Sequence, residues 1–284
     1  MATSTDGAAS DAISALLRET AWRVTIPGAE AAFLAGPDAD TAILALHGWG
    51  ASAESMRFLG GGLAASGFAV LMPTLPGHGT DPEDLARTGP SEWIAEARRA
   101  LVALADVYER VYLLGVSMGG ALALQIACLE CDRVAGLVTL NAPVFLDRPA
   151  FAREVMDGAA ADRLSTWEGP AFVGPAVPEI TYPERSRKSG IDLLAMTALA
   201  REALPLVRAP VLVLQSVSDH VVPRRSAETI LAEVSSTTKS IGWLHRSYHM
   251  AQLDLDRDDV VRRTAAFIDG LAEEPRAGVR DPTR

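Results

Sequence analysis

The chain has 284 residues, 49% of them hydrophobic and 22% charged, with 26 Lys and Arg against 36 Asp and Glu for a formal net charge of -10. That composition builds a sizeable core and excludes disorder as the main state. The acidic balance, without a basic run anywhere, excludes sequence-independent nucleic-acid binding, which needs clustered Lys and Arg to displace counterions from phosphates.

Met1 to Ala12 is small, polar and acidic, without the positive start and apolar stretch of a secretory signal. The apolar runs are far shorter than the ~20 residues a membrane-spanning helix requires, so a cytoplasmic location is expected. Short apolar runs bounded by turn residues read as eight strands: Trp22 to Ile26, Ala31 to Leu34, Thr41 to Leu46, Ala69 to Met72, Val111 to Val116, Gly136 to Leu140, Val211 to Gln215 and Ser240 to Leu244. The first two, joined by Pro27-Gly28, read as an antiparallel hairpin at the sheet edge. Helical patterns follow at Leu59 to Ser66, Pro90 to Asp106, Ala121 to Cys131, Ser226 to Val234 and Asp259 to Leu271. Alternation of helices with continuously apolar strands predicts an α/β fold with a mostly parallel sheet covered on both faces.

One gap breaks this rhythm. Connections in such folds run to about 2 to 6 residues plus a helix, yet the stretch from Val144 to Arg208 holds Pro149, Pro170, Pro175, Pro178 and Pro183, several aromatics and only one helical run, Ile191 to Ala203. It reads as a small cap inserted at the sheet edge. The expected organisation is a loose N-terminal tail over 1–20, a core made of 21–143 and 209–272, a cap over 144–208, and a loose charged tail over 273–284. Two cysteines, Cys128 and Cys131, cannot make a disulfide framework. Their spacing nominally matches a redox motif, but both fall late in a predicted helix rather than at its start, where the dipole would lower a thiol pKa.

The chemistry is carried by Gly115-Val116-Ser117-Met118-Gly119, which sits between a predicted strand and a predicted helix. A serine at the tip of so sharp a turn is held in a strained backbone conformation above the carboxyl end of the sheet, and the flanking glycines let strand and helix approach. A serine hydroxyl needs a base to take its proton and a carboxylate to orient that base. Asp219 follows the strand ending at Gln215 and His249 follows the strand ending at Leu244, each in a loop beyond a carboxyl end. The chain order Ser117, Asp219, His249 is that of α/β-hydrolases. His47 and His78 precede the serine and read as loop-shaping hydrogen-bonders, His220 adjoins the acid, and His245 closes a strand as a polar edge residue. Backbone N–H groups of Met118 and of Trp49, in the loop His47-Gly48-Trp49-Gly50, are the expected donors to a tetrahedral oxyanion. With no ligand cluster and no dinucleotide fingerprint, neither a metal nor an organic cofactor is expected.

Leu46-His47-Gly48-Trp49-Gly50, Pro76-Gly77-His78-Gly79, Gly115 to Gly120, Asp219 to Pro223 and Ser247-Tyr248-His249-Met250 together resemble the bacterial monoacylglycerol lipases and small thermostable carboxylesterases of the α/β-hydrolase superfamily. Ser235-Ser236-Thr237-Thr238-Lys239 adds to that likeness, which spans Thr41 to Leu271. It implies Ser117 as nucleophile, Asp219 as acid, His249 as base and Trp49 and Met118 as oxyanion donors. Trp49 stands where the family usually has phenylalanine. The resemblance further implies a lid over an apolar acyl tunnel with a polar group near a glycerol head; Glu184 is the candidate for that group, against its reading as a solvated surface carboxylate. A small ester or lipid substrate is expected, of medium to long acyl length, with transient lipid contact through the cap and a monomer or small homo-oligomer. Two alternatives stay open: the same triad acting on a lactone, amide, carbon-carbon bond or other acyl acceptor, and a non-catalytic ligand-binding homologue.

Overall fold

The structure, a computed structural model, describes residues 22–36, 39–146, 148–157, 163–165 and 171–273 together with Ile13 and Leu17. In chain order, β1 (Ala32–Leu34) and β2 (Thr41–Leu46) lead to α1 (Arg57–Ala65), β3 (Ala69–Met72), α2 (Pro82–Arg87) and α3 (Pro90–Ala105). Then follow β4 (Arg110–Val116), α4 (Met118–Leu129) and β5 (Gly136–Leu140). The insertion contains α5 (Pro149–Met156), β6 (Arg163–Ser165), β7 (Glu184–Ser186) and α6 (Arg187–Ala203). The chain ends on β8 (Val211–Ser216), α7 (Arg224–Glu233), β9 (Lys239–Leu244) and α8 (Arg257–Glu273).

The sheet has the order β1-β3-β2-β4-β5-β8-β9, with β1 antiparallel to β3 and every other pair parallel. It holds seven strands among the described residues rather than the expected eight. Trp22 to Ile26 forms no strand and no hairpin with its neighbour: Pro27 has no N–H to give a ladder, Gly28 turns with φ of 93°, and the N–H groups of Thr25 and Ile26 both go to the Gly79 carbonyl at 3.0 Å. Two short helices, α2 and α5, escaped the sequence reading, and α4 begins three residues before the predicted start.

Strand periodicity divides the core. Ala42, Leu44 and Leu46 of β2 and Val111 and Leu113 of β4 face one layer with Trp93 and Leu122, under α3 and α4. The alternate residues, Ile43, Ala45, Tyr112 and Leu114, face the other with Leu59, Val260 and Ile268, under α1 and α8. Helix α4 is buried nearly all round, because both the sheet and α6 pack on it. Ile13, within the expected loose tail, is fully buried in the first layer, and Leu17, one helical turn on, packs against it. Most of the remaining tail residues lie outside the described part. No helix among the described residues is long and apolar enough to cross a membrane.

Because the central strands are parallel, their carboxyl ends share one edge, and the loops that leave them start at Ser117, Asn141, Val217 and His245. The ladder runs one residue past three of the strands: Ser117 N donates to Leu140 O at 2.9 Å, Asn141 N to Leu214 O at 3.0 Å and Val217 N to Leu244 O at 2.8 Å. The insertion lies over this edge. Tyr182 fastens it, its N–H donating to Gly50 O at 3.0 Å and its hydroxyl donating to Gly77 O at 2.9 Å while accepting from Thr80 N at 2.9 Å.

Candidate active site

Ser117 adopts φ 53° and ψ -122°, a left-handed conformation for a residue with a side chain, at a cost of about 1 to 3 kcal/mol that the surrounding strand and helix sustain. Sequence makes this turn possible locally: a Cβ on Gly115 would meet the Gly119 backbone, and one on Gly119 would meet the Leu46 carbonyl. As N-cap of α4, Ser117 leaves Met118 as the first helical residue, whose N–H has no partner inside the helix.

Ser117 Oγ lies 3.0 Å from His249 Nε2, and His249 Nδ1 lies 2.9 Å from Asp219 Oδ2. The Asp219 side chain is fully removed from solvent. Its other oxygen accepts from Val221 N at 2.7 Å and Val222 N at 3.0 Å, and Gln215 Nε2 donates to Oδ2 at 3.3 Å. These bonds fix the direction of the carboxylate. With Nδ1–H donating to Asp219, Nε2 has a lone pair facing the serine hydroxyl. Gly48 abuts Ser117, since a Cβ there would stand 3.5 Å from the Ser117 Cβ, so the Trp49 loop and the Met118 helix start flank the serine from two sides.

The remaining histidines do other things. His47 donates from Nδ1 to Gly48 O at 2.8 Å and accepts from Leu75 N through Nε2 at 3.0 Å; burial pushes it down to about 4, so it is neutral and shapes the loop. His78 is equally buried, meets the Pro76 carbonyl at 3.1 Å, and is pushed well below the ordinary range by desolvation. His220 stacks edge-on against Tyr248, and His245 is exposed.

The serine opens into a cavity of about 200 Å³. Pro143, Leu146, Leu193 and Met250 make its apolar side, and Glu179, Thr181 and Arg185 its polar side. Glu184 is not there. It is an exposed residue of β7 that borders a separate hollow with Pro82 and Glu83, because strand alternation turns it away and points the adjacent Arg185 inward. The carboxyl on the cavity wall is Glu179, which burial raises to about 7 against the opposing pull of Arg185.

Three residues were missed by the sequence reading. Glu179 and Arg185 lie in or beside an irregular, proline-rich segment where no periodicity tells which side chains point in. Asn141, left-handed at φ 50° and fully buried, ties the site together: its Nδ2 donates to His249 O at 2.7 Å and Ser216 Oγ at 3.1 Å, and its Oδ1 accepts from Ser216 N at 2.7 Å. Its only sequence signal is its position immediately after β5.

A parallel sheet with a strained serine, a histidine and a buried aspartate at its carboxyl edge defines the class, and the chain belongs to the alpha/beta hydrolase family, which matches residues 43–267. It is 34% identical over 225 residues to a thermostable monoacylglycerol lipase of Bacillus sp. (strain H-257), a match covering 79% of this chain and 89% of the relative. It is 28% identical to a carboxylesterase of Bacillus subtilis (strain 168), covering 82% and 94% of the two chains. Among solved structures it superposes on a metagenome-derived lipolytic enzyme of the LipS and LipT study with a TM-score of 0.82 at 35% identity, covering 87% of this chain and all of that one. The expected likeness to monoacylglycerol lipases and small carboxylesterases is borne out.

Proposed function

We propose that this protein is a lipase or esterase that hydrolyses carboxylic esters through an acyl-enzyme on Ser117. The observation that carries the reading is the continuous hydrogen-bonded path from Ser117 Oγ through His249 to the buried Asp219. His249 Nε2 takes the hydroxyl proton as Ser117 Oγ attacks the ester carbonyl, and Asp219 holds the imidazole and stabilises its charged form. The backbone N–H groups of Met118 and Trp49 receive the oxyanion, each such donor being worth about 2.7 to 4 kcal/mol in the transition state. As the tetrahedral species collapses, the bond to the alcohol oxygen breaks and Nε2 returns the proton to the departing alcohol. Water then attacks the acyl-enzyme by the same route, releasing the acid and restoring Ser117.

A monoacylglycerol or comparable acyl ester is the substrate we favour, on the similarity to the Bacillus lipase and on a cavity with one apolar and one polar side. At about 200 Å³ the cavity is smaller than the ~300 to 1,000 Å³ usual for drug-sized ligands. It holds the ester group with a short part of the chain; a long acyl chain must leave through the mouth or displace the insertion. The test is a series of p-nitrophenyl esters and monoacylglycerols of rising acyl length, run on wild type beside Ser117→Ala. Loss of nearly all turnover in the variant supports the serine mechanism, and an undiminished rate excludes it. A maximum at medium or long chains with turnover of monoacylglycerol supports the lipase reading; activity on very short chains alone makes the protein a general carboxylesterase.

A further inference from the structure

The cavity wall carries a cation that the ester-cleaving mechanism leaves unused. Arg185 is the middle residue of β7, paired with the buried Leu164, and is itself only 7% exposed. Its guanidinium lies 4.7 Å from the centroid of the Trp49 ring, and its Nη2 donates to Thr181 Oγ1 at 2.9 Å. That is its one hydrogen bond among the described residues, out of five N–H donors, and its Nε is fully buried without an acceptor. Glu179 shares the wall, close enough for mutual electrostatic influence, but neither a hydrogen bond nor an ion pair joins the two. Arg185 therefore remains a cation, although desolvation brings it down to about 10.

A buried cation whose donors are mostly unspent is costly unless something of opposite charge completes it. The planar fork of a guanidinium matches a carboxylate in bidentate fashion. We infer that Arg185 is a binding site for a carboxylate carried by the substrate, so that the favoured esters have an apolar limb and a limb ending in a free acid. The inference rests on the ester-hydrolase reading and names the substrate class of that same cavity. A monoanion suits the site better than a doubly charged group, because Glu179 repels added negative charge once it ionises. Glu179 is faced by Arg185, Glu54 and His249, and it loses its proton around pH 7. In its neutral form its O–H is a second donor to the bound carboxylate; in its charged form it opposes it.

The experiment compares kcat/KM for p-nitrophenyl hydrogen adipate with that for its neutral methyl ester in wild type, Arg185→Gln and Arg185→Lys. A charge-assisted bond of this kind predicts that wild type favours the acid ester ~10 to 100-fold below neutral pH, and that Arg185→Gln removes that ratio while Arg185→Lys keeps part of it. The wild-type ratio falls as pH rises through about 7. The wild-type acid-to-neutral ratio needs no variant, and so tests the inference even where Arg185→Gln fails to fold. An acid-to-neutral ratio near one in wild type, or a ratio that Arg185→Gln leaves in place, overturns the inference while neutral-ester hydrolysis leaves the enzyme reading standing. Absence of wild-type turnover on both esters overturns the enzyme reading and the inference with it.

Discussion

At the carboxyl edge of the sheet, the loops bearing Ser117 and Asp219 begin from strand ends whose ladder bonds continue one residue into them, and Asn141, held the same way beyond β5, fastens His249 to the end of β8. The insertion above them has no ladder to the sheet: α6 packs its side chains on α4, and the polar links to the core are single bonds. These include the Tyr182 hydroxyl, the Glu54 carboxylate on Ile180 N, Lys188 on the Thr88 carbonyl, and Asp254 on Val173 N and Gly174 N. Backbone ladders lose many bonds together or none, whereas point contacts let go one at a time. The groups proposed to react therefore sit on the ladder-held part of the molecule, and Glu179 and Arg185, proposed to choose among substrates, sit on the insertion.

If that division is right, the largest single effect comes from the edge. Ser117→Ala should lower kcat on p-nitrophenyl esters by at least ~10⁴-fold, as expected of a residue acting in one unit with its base. Its melting temperature should change little, because alanine keeps the same backbone conformation and gives up a single side-chain hydrogen bond. A small loss of kcat would remove the edge from the chemistry altogether.

Asn141→Ala sharpens the same side. It deletes the bonds to His249 O, Ser216 Oγ and Ser216 N while leaving a non-glycine residue at φ 50°. We expect a stability loss of about 2 to 4 kcal/mol in denaturant unfolding, from buried backbone groups left without partners. A misplaced base should also lower kcat by up to ~10²-fold with KM little changed. A stability loss with unaltered kcat would make Asn141 a structural residue only.

The same division explains what the sequence made legible. Ser117, Asp219 and His249 stand out because each follows an apolar run within a few residues, and strand ends in a parallel sheet converge whatever the detailed packing. Glu179 and Arg185 do not, because their direction depends on an irregular segment and a three-residue strand, too short for alternation to be read. Glu184 entered only as a candidate polar group of the lid; the ribbon's pleat turns it outward and makes Arg185 the inward position. Helix α2 carried a signal, since Asp81 caps it by accepting from Asp84 N and Pro82 is its first residue, but six residues give no helical period to detect. Trp22 to Ile26 misled in the opposite direction, its apolar residues serving side-chain contact while its backbone donors turn to the Gly79 carbonyl.

On the insertion side, Glu179 gives a pH effect with a definite sign. Burial raises its carboxyl to about 7 in the fold from an ordinary 4.5, so between these pH values the folded state holds a proton that the unfolded state has released. Stability contributed by this group is thus greatest below about 4.5 and is lost as pH rises through about 7, by up to ~3 kcal/mol. Glu179→Gln should flatten that part of the profile, so that the difference in melting temperature between variant and wild type grows from acid to neutral pH. A difference that stays constant would mean that Glu179 is already ionised throughout.

The smallest expected effect is on the strongest of the point contacts. Tyr182→Phe keeps the buried ring and the Tyr182 N–H bond to Gly50 O, and removes only the hydroxyl that joins Gly77 O and Thr80 N. Both groups are buried, so the loss should be about 1 to 3 kcal/mol. Because the hydroxyl joins the insertion to the Pro76 to Thr80 turn, and not to the loops of Ser117, Asp219 or His249, the variant should raise KM for long acyl esters more than it lowers kcat on short ones. Hydrogen exchange offers the finer reading: faster exchange confined to α6 and its approach would show the insertion loosening alone. Exchange quickened equally in β4, β5 and β8 would mean that insertion and sheet open as one unit, and that no part of the specificity wall moves independently of the reacting groups.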